Sequence, residues 1–347
     1  MDVRRYRKLL ETTPQSAEST RRHSLDDRLQ LRSVEVIAEL RAKFQNAWVF
    51  VCEGSTLERP GRYLTDTIAD RLVFVCRDTR GGLRGFFNAC PHLGLPVLTN
   101  RTGLEKAFVC SYHGWRFSPE GRLTAMPLPE GYEAVGLRRE DFPLQPIQTA
   151  QLGGLVFGCV NPGMDLRQSL GIAASYLDQM FPAERNWETI FNYTLTVDCS
   201  FEQWMRESAD CWAGETGASG IVDRSGPRWK ASSVQRGQRG EQVALYNDPP
   251  VFASAVIGTF IEDARTLRCI LHAPPNLIVA ALGPAVITIR CDPVDRTCTL
   301  LRINGYGLTG ENEQMRRARK LALADWWGPL SPFFALSHTR FASGGKL

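Results

Sequence analysis

Cys90-Pro-His92 and Cys110-Ser-Tyr-His113, separated by seventeen residues, are the side chains in this sequence whose types and spacing could do chemistry. Thiolates and imidazoles both ligate transition metals, and each pair supplies one of each. Two such pairs can hold a two-iron cluster asymmetrically, with Cys90 and Cys110 on one iron and His92 and His113 on the other. Replacing two thiolates by two neutral histidines raises the reduction potential of such a cluster to roughly −150 to +300 mV. Gly94 and Pro96 follow the first pair and Gly114-Trp115 follows the second, as two tight ligand loops require.

The alternative reading of these four residues is a Cys2His2 zinc site, because zinc accepts the same ligand types in a tetrahedron. Zinc sites more often pair like ligands in sequence, Cys with Cys and then His with His. Here each pair is mixed, which favours the Rieske [2Fe–2S] arrangement as an electron-carrying centre.

The elements that must position these loops can be read from the surrounding pattern. Residues 26–44 place Leu29, Val36, Ile37, Leu40 and Phe44 near helical spacing, an amphipathic arm. From Trp48 the pattern changes to short β-rich runs, among them WVFVCEG, LVFVCRD, LRGFFNAC, KAFVCSY and GLVFGCV. Turns at Arg80-Gly-Gly82 and Pro119-Glu-Gly121 separate them, the mark of a small all-β domain ending near Asn161-Pro-Gly163. Beyond it the spacing predicts helices at 165–180, 200–212 and 312–327. Strands are predicted at 187–198, 242–248, 251–261, 266–272, 276–282, 285–290 and 297–305. Strands flanked by helices imply an antiparallel sheet covering one or more helices, an α+β architecture. The Gly/Ser/Arg-rich segment 214–241 reads as a mobile loop. Three regions follow: an N-terminal helical arm over 1–44 that packs on the second domain, a cluster domain over 45–162, and a mixed domain over 163–347.

Composition excludes several classes. At 347 residues, 43% hydrophobic and 22% charged, the chain has room for two domains with at least one large core. A net charge of +4 without a Lys/Arg run argues against nucleic-acid binding. No run of eighteen apolar residues predicts a membrane span, and MDVRRYRKLLETTPQSAEST lacks the apolar core of a signal peptide. Ten scattered cysteines, two of them assigned to the cluster, show no disulfide framework, and the expected location is the reducing cytoplasm.

The cluster motif followed by a mixed domain resembles the α subunit of Rieske non-haem iron ring-hydroxylating oxygenases. The resemblance runs from FQNAWVFVCEGSTLERPGRYLTDTI through LRGFFNACPHLGLPV and CSYHGWRFSPEGRLTAMP, and HAPPNLIVAALGP looks like the family's Phe-Pro-Asn-Leu strand. It implies a helix-grip (START-like) second domain with a mononuclear Fe(II) on a 2-His-1-carboxylate triad. It also implies a trimer in which an acidic residue bridges the cluster of one subunit to the iron of the next.

The family's iron segment runs Asn-Trp-Lys-x-x-x-Glu-Asn-x-x-Asp-x-Tyr-His-x-x-x-x-His. The matching stretch here starts at Ser200 and contains Glu207, Asp210, Trp212, Ala213 and Ala218. Asp210 stands at the bridging-acid position, while both iron-binding histidines are replaced, by Ala213 and Ala218. No Asp or Glu follows Asp325, so the carboxylate ligand is expected to be missing too. Only five histidines exist; beyond His92 and His113 they are His23, His272 and His338, and no close pair stands outside the cluster motif. The expectation is that mononuclear Fe(II) is absent from this chain. A site rebuilt from Asp210, Cys211, Glu215 and His272 is the competing possibility. Otherwise His272 is expected to be a core histidine satisfied by a hydrogen bond, Asp210 a relic, a surface group or a partner of Arg206, and Cys211 inert.

Three functions compete. The chain could be an auxiliary α′ subunit whose cluster feeds the iron of a neighbouring iron-containing α homologue, in an α3α′3 hexamer or a mixed trimer. It could be an active oxygenase with a non-standard metal site, acting alone or with a small β subunit. It could instead be an electron carrier that binds a ligand without converting it. The resemblance implies a flavin reductase or ferredoxin as electron donor and an apolar, aromatic-type substrate. Selective loss favours the first: every cluster ligand is present and every triad ligand is absent.

Overall fold

The computed structural model describes residues 34–133, 136–182, 187–213, 231–246, 269–282, 285–317, 319–320 and 341–342. Contacts divide the chain into two compact units, one running from Ile37 to Ser169 and the other joining the chain up to Val36 with that from Leu170 onward.

The first unit is built on antiparallel strands whose near-continuous apolar runs are buried. Its strands are β1 (Val49–Glu53), β2 (Arg62–Ile68), β3 (Arg71–Arg77), β4 (Leu83–Phe87), β5 (Thr102–Leu104), β6 (Phe108–Val109), β7 (Arg116–Phe117), β8 (Leu123–Ala125), β9 (Pro146–Leu152) and β10 (Leu155–Cys159). Seven form one sheet in the order β1-β10-β9-β4-β3-β2-β5, and β6-β7-β8 form a second, smaller one. The chain leaves the large sheet at Phe87, touches it again at its edge through β5, which pairs with β2, and rejoins its middle at Pro146, which pairs with Phe86. Residues 88–145 are therefore an excursion whose two ends lie on neighbouring strands, and both ligand loops belong to it. Phe74, Phe86, Phe108, Trp115 and Phe117 pack with Cys90 and Cys110 into one buried cluster beneath those loops.

The helix Val34–Phe44 is the described part of the arm, and Val34–Val36 group with the second unit. From Ile37 it belongs to the first unit, with Phe44 buried and Arg41 paired with Asp70 at 2.8 Å. Residues 1–33 of the arm, with His23, lie outside the described residues.

The second unit contains β11 (Trp187–Val197), β12 (Ser233–Arg236), β13 (Gln242–Leu245), β14 (Cys269–Ala273), β15 (Leu277–Leu282), β16 (Ala285–Asp295), β17 (Cys298–Leu308) and β18 (Phe341–Ala342). They form one antiparallel sheet in the order β12-β13-β14-β15-β16-β17-β11-β18. A 13-residue helix, Phe201–Ala213, crosses one face. Ser200 caps it, its side-chain oxygen accepting the Gln203 N–H at 3.2 Å. Phe201, Trp204, Ser208 and Trp212 recur at helical spacing and are buried. At the start of the helix the Trp204 indole N–H donates to the Cys291 sulfur on β16 (3.3 Å). Near its end the Gln242 amide on β13 donates to the Ala209 carbonyl (2.7 Å). The mostly β first unit and a sheet gripping a helix match the expected α+β class.

The segment 214–241, expected to be a loop throughout, contains β12. Its polar sequence hides the strand, which forms a hairpin with β13 across a turn organised by Glu241. The buried Glu241 carboxylate accepts the N–H groups of Arg239 (2.9 Å) and Ile172 (3.3 Å). The expected strand at 251–261 lies outside the described residues, and the expected helix at 312–327 is helical at 313–317 and described no further than 320.

Candidate metal centre

Two loops of matching construction carry the predicted ligands. In the first, the Cys90 N–H donates to the Leu95 carbonyl (2.7 Å) and the Gly94 N–H returns to the Cys90 carbonyl (2.7 Å). In the second, Cys110 donates to Trp115 (2.9 Å) and Gly114 returns to Cys110 (2.9 Å). Gly94 and Gly114 have φ of 76° and 71°, a left-handed conformation that costs other residues roughly 1–2 kcal/mol. The chain folds back there because glycine lies four positions after each cysteine.

Asn88 pins the first loop. Buried at 4% exposure, its side chain donates to the Leu98 carbonyl (2.7 Å) and accepts the N–H groups of Val97 (3.0 Å) and Leu98 (2.9 Å). All its hydrogen-bonding ends but one N–H are thus spent holding the loop against the end of β4. Sequence reasoning missed Asn88; a polar residue between the apolar end of β4 and Cys90 was the available signal.

The loops bring the four predicted side chains together in like pairs. Cys90 and Cys110 are both buried, with the Cys110 thiol within hydrogen-bonding reach of Cys90, and burial pushes the Cys90 thiol up to about 11. The imidazoles of His92 and His113 lie with ring centroids 4.5 Å apart. His92 is half-buried, and its Nδ1 is a buried nitrogen with no hydrogen-bond partner. His113 is exposed beside Tyr112, itself 62% exposed. An unpartnered buried nitrogen on the loop that also carries a buried thiol is the chemistry of a metal site rather than of a packed core. Among the described residues no group of three or more His, Cys, Asp or Glu side chains is arranged to hold a single ion. Two pairs, one of sulfur and one of nitrogen, are what two irons require of the protein, and metal binding here must displace the thiol protons.

Aromatic rings line the His92 side of the site. The Trp115 indole stacks on His92 at 4.8 Å with planes 7° apart, and it is fully buried. Tyr132 meets both rings edge-on, at 6.1 Å from His92 and 5.7 Å from Trp115, and Phe142 meets Trp115 at 5.8 Å. Leu93, Leu95, Tyr112 and Leu128 are exposed apolar residues of the same excursion. Leu128 holds a positive φ of 53°, unfavourable for a branched side chain, while 80% exposed.

The second predicted site is placed in part. Ala213 is buried at the end of its helix, directly after the buried Trp212, whereas Ala218 and Glu215 lie outside the described residues, as does the side chain of Cys211. Asp210 is half-buried. Arg206, one turn earlier on the same helix, is exposed. His272 departs from expectation: it is 3% exposed in β14, yet neither ring nitrogen has a hydrogen-bond partner among the described residues. Its ring lies 5.3 Å from that of Trp212. Its strand neighbours, Gln242 and Ile278, direct their polarity elsewhere or have none. Burial alone lowers its pKa to about 3, so the imidazole is neutral.

Comparison with known proteins agrees with this geometry. Residues 47–139 match the family model of the Rieske [2Fe–2S] domain. The large oxygenase component of the naphthalene 1,2-dioxygenase system of Pseudomonas putida is 33% identical over 145 residues, 41% of this chain and 32% of that protein. The chain thus matches about a third of the length of this relative. The α subunit of 2-aminobenzenesulfonate 2,3-dioxygenase of Alcaligenes sp. is 24% identical over 325 residues, 91% of this chain and 82% of that protein. Among solved structures, the apo form of the quaternary ammonium Rieske monooxygenase CntA superposes with a TM-score of 0.67 at 19% identity, covering 89% of this chain and 82% of that one. Naphthalene 1,2-dioxygenase from Rhodococcus sp. bound to indole gives 0.62 at 18% identity, covering 93% and 86%. No helix among the described residues is long and apolar enough to cross a membrane. Residues 47–139 therefore form a Rieske [2Fe–2S] domain, and the chain is a homologue of Rieske oxygenase α subunits.

Proposed function

We propose that this chain is an auxiliary α′ subunit of a heteromeric ring-hydroxylating oxygenase. In this reading Cys90 and Cys110 hold one iron of a [2Fe–2S] cluster and His92 and His113 hold the other. The cluster, when bound, supplies one-electron transfer at a comparatively high potential. The protein residues do the rest: Asn88, Gly94 and Gly114 set the loops, the buried core keeps water from the thiolates, and exposed His113 offers the outlet. The electron would pass to the mononuclear iron of a neighbouring iron-containing α homologue, in an α3α′3 hexamer or a mixed trimer. A reductase or ferredoxin supplies it, and a small β subunit could complete the assembly. Inter-subunit electron transfer in the quaternary ammonium Rieske monooxygenase CntA, which shares this fold, supports the idea.

The observation carrying this reading is the contrast between the two sites. One has two thiols, two imidazoles and an open buried nitrogen; the other presents the methyl group of Ala213 where a histidine would be needed. A methyl group has no lone pair to donate. The free thiols found at nine described cysteines support a reducing, cytoplasmic setting.

The second reading, an active oxygenase with a rebuilt site, is favoured by His272 alone, whose two nitrogens stand open near Trp212. Among the described residues no group of three metal-binding side chains includes it, and one imidazole alone holds Fe(II) weakly. Iron analysis separates the readings: two irons per chain are expected, and anomalous scattering at the iron edge should show no third site. A third iron in this chain, or substrate turnover by this chain alone with a reductase, overturns the α′ assignment. Co-expression with an α homologue should restore oxygenation, and Cys110→Ala should reduce it while assembly persists.

A further inference from the structure

Trp115 carries a second unsatisfied polar atom at the cluster site. Its indole is fully buried, and Nε1 has no hydrogen-bond acceptor. Leaving a buried N–H unpaired costs about 1–3 kcal/mol, so such groups in folded proteins almost always have an acceptor. The neighbouring ring, stacked at 4.8 Å, is His92, whose Nδ1 is also buried and open. Two adjacent stacked rings thus present one bare lone pair and one bare N–H.

The two ligand loops are alike in backbone but not at this position. The residue that accepts the cysteine N–H is Leu95 in the first loop, 41% exposed, and Trp115 in the second, fully buried. The second loop therefore sends its fifth residue inward, beneath the histidine of the first. Tyr132 and Phe142 close the edges of the indole and fix its plane. Neither provides Nε1 with an acceptor.

We infer that Trp115 is a potential-setting positioning residue: its face orients the His92 imidazole, and its indole N–H donates to a sulfur of the bound cluster. The inference rests on the cluster assignment proposed above. With two thiolates and two neutral imidazoles as ligands, reduction adds one negative charge to the site. A hydrogen bond to sulfur stabilises that charge and raises the potential, as hydrogen bonds to cluster sulfur do for iron–sulfur centres generally.

Three substitutions in the full chain test it, with potential, iron and sulfide content, and the electron paramagnetic resonance spectrum as readouts. Trp115→Phe keeps a stacking face and removes the N–H; it should retain iron and lower the potential. Trp115→Leu removes both and should also speed cluster loss. Phe142→Leu loosens the packing of the indole without removing its N–H and should shift the potential less than Trp115→Phe does. A Trp115→Phe potential equal to that of the unsubstituted protein, or an equal shift in Phe142→Leu, overturns the inference. Lower iron content with an unchanged potential does so too, since that marks a purely structural role. Should Trp115→Phe fail to fold, pulsed resonance on the reduced, unsubstituted protein labelled at indole nitrogen decides the matter. A coupled indole nitrogen and an exchangeable proton are expected, and their absence overturns the hydrogen bond. If the unsubstituted protein lacks the spectrum of a histidine-ligated [2Fe–2S] cluster, the cluster assignment fails instead.

Discussion

Gly94 and Gly114 occupy the same place in two copies of one loop. Each lies four residues after a cysteine, donates its N–H to that cysteine's carbonyl and carries a φ above 70°. The loops nevertheless differ in sequence between those points, Pro-His-Leu in one and Ser-Tyr-His in the other, so the histidines sit two and three residues after their cysteines. The backbone frame is shared while the side chains are offset, which lets two thiols meet on one side and two imidazoles on the other.

Alanine at either glycine should cost about 1–2 kcal/mol from the left-handed backbone alone. Gly114→Ala should cost more, because a Cβ there would stand 3.0 Å from the Pro127 ring, whereas nothing lies within 4 Å at Gly94. Thermal unfolding of both variants, with iron content measured in parallel, checks the ranking; equal losses would contradict it.

Asn88→Ala should strip two N–H acceptors and one donor from the first ligand loop. With each buried group left unpaired costing about 1–3 kcal/mol, a loss above about 2 kcal/mol is expected, together with lower cluster content. Denaturant unfolding and the visible absorption of the purified protein report the two effects.

His272 gives the second unit an acid-sensitive core. Its folded pKa of about 3 lies below the ordinary value of 6.5, so the unfolded chain binds the extra proton first. Its contribution is fully present above pH 6.5 and is lost as the pH falls toward 3, at no more than about 1.4 kcal/mol per unit. His272→Leu should flatten stability over this window and, at about pH 5, be at least as stable as the parent. A variant that retains the full acid sensitivity refutes the assignment.

His113→Cys should keep a two-iron cluster and lower its potential, since a thiolate adds negative charge to that iron. Because His113 is exposed, the substitution disturbs no core packing. A redox titration showing an unchanged midpoint and spectrum would count against His113 as a ligand.

Much of this was legible in the sequence because its determinants are local. The mixed Cys/His pairs, the glycines that follow them and the apolar runs of β1, β3 and β10 each announce themselves within a few residues. What escaped depends on contacts distant in sequence. Trp115 was visible as a flank of the motif, but its stack on His92 joins two separate loops; Tyr132 and Phe142 lie farther along still. The β12 strand reads as polar loop because its order derives from pairing with β13 and from Glu241 reaching Ile172 in another segment. The open nitrogens of His272 could not be foreseen either, since a histidine among Ile, Leu and Ala looks like any other core histidine until its neighbours are placed.

The excursion at residues 88–145 has a consequence for how such a protein can change. Its ends are zipped together by the β4–β9 pairing, with the Phe87 N–H donating to the Gln145 carbonyl at 2.9 Å. Chain closure is therefore settled by the large sheet, and the entropic cost of a longer or shorter detour grows only logarithmically with its length. The part between β8 and β9 is in effect a cassette, free to gain or lose residues, whereas β5, paired with β2, holds the stretch between the two metal-binding turns in register with the frame.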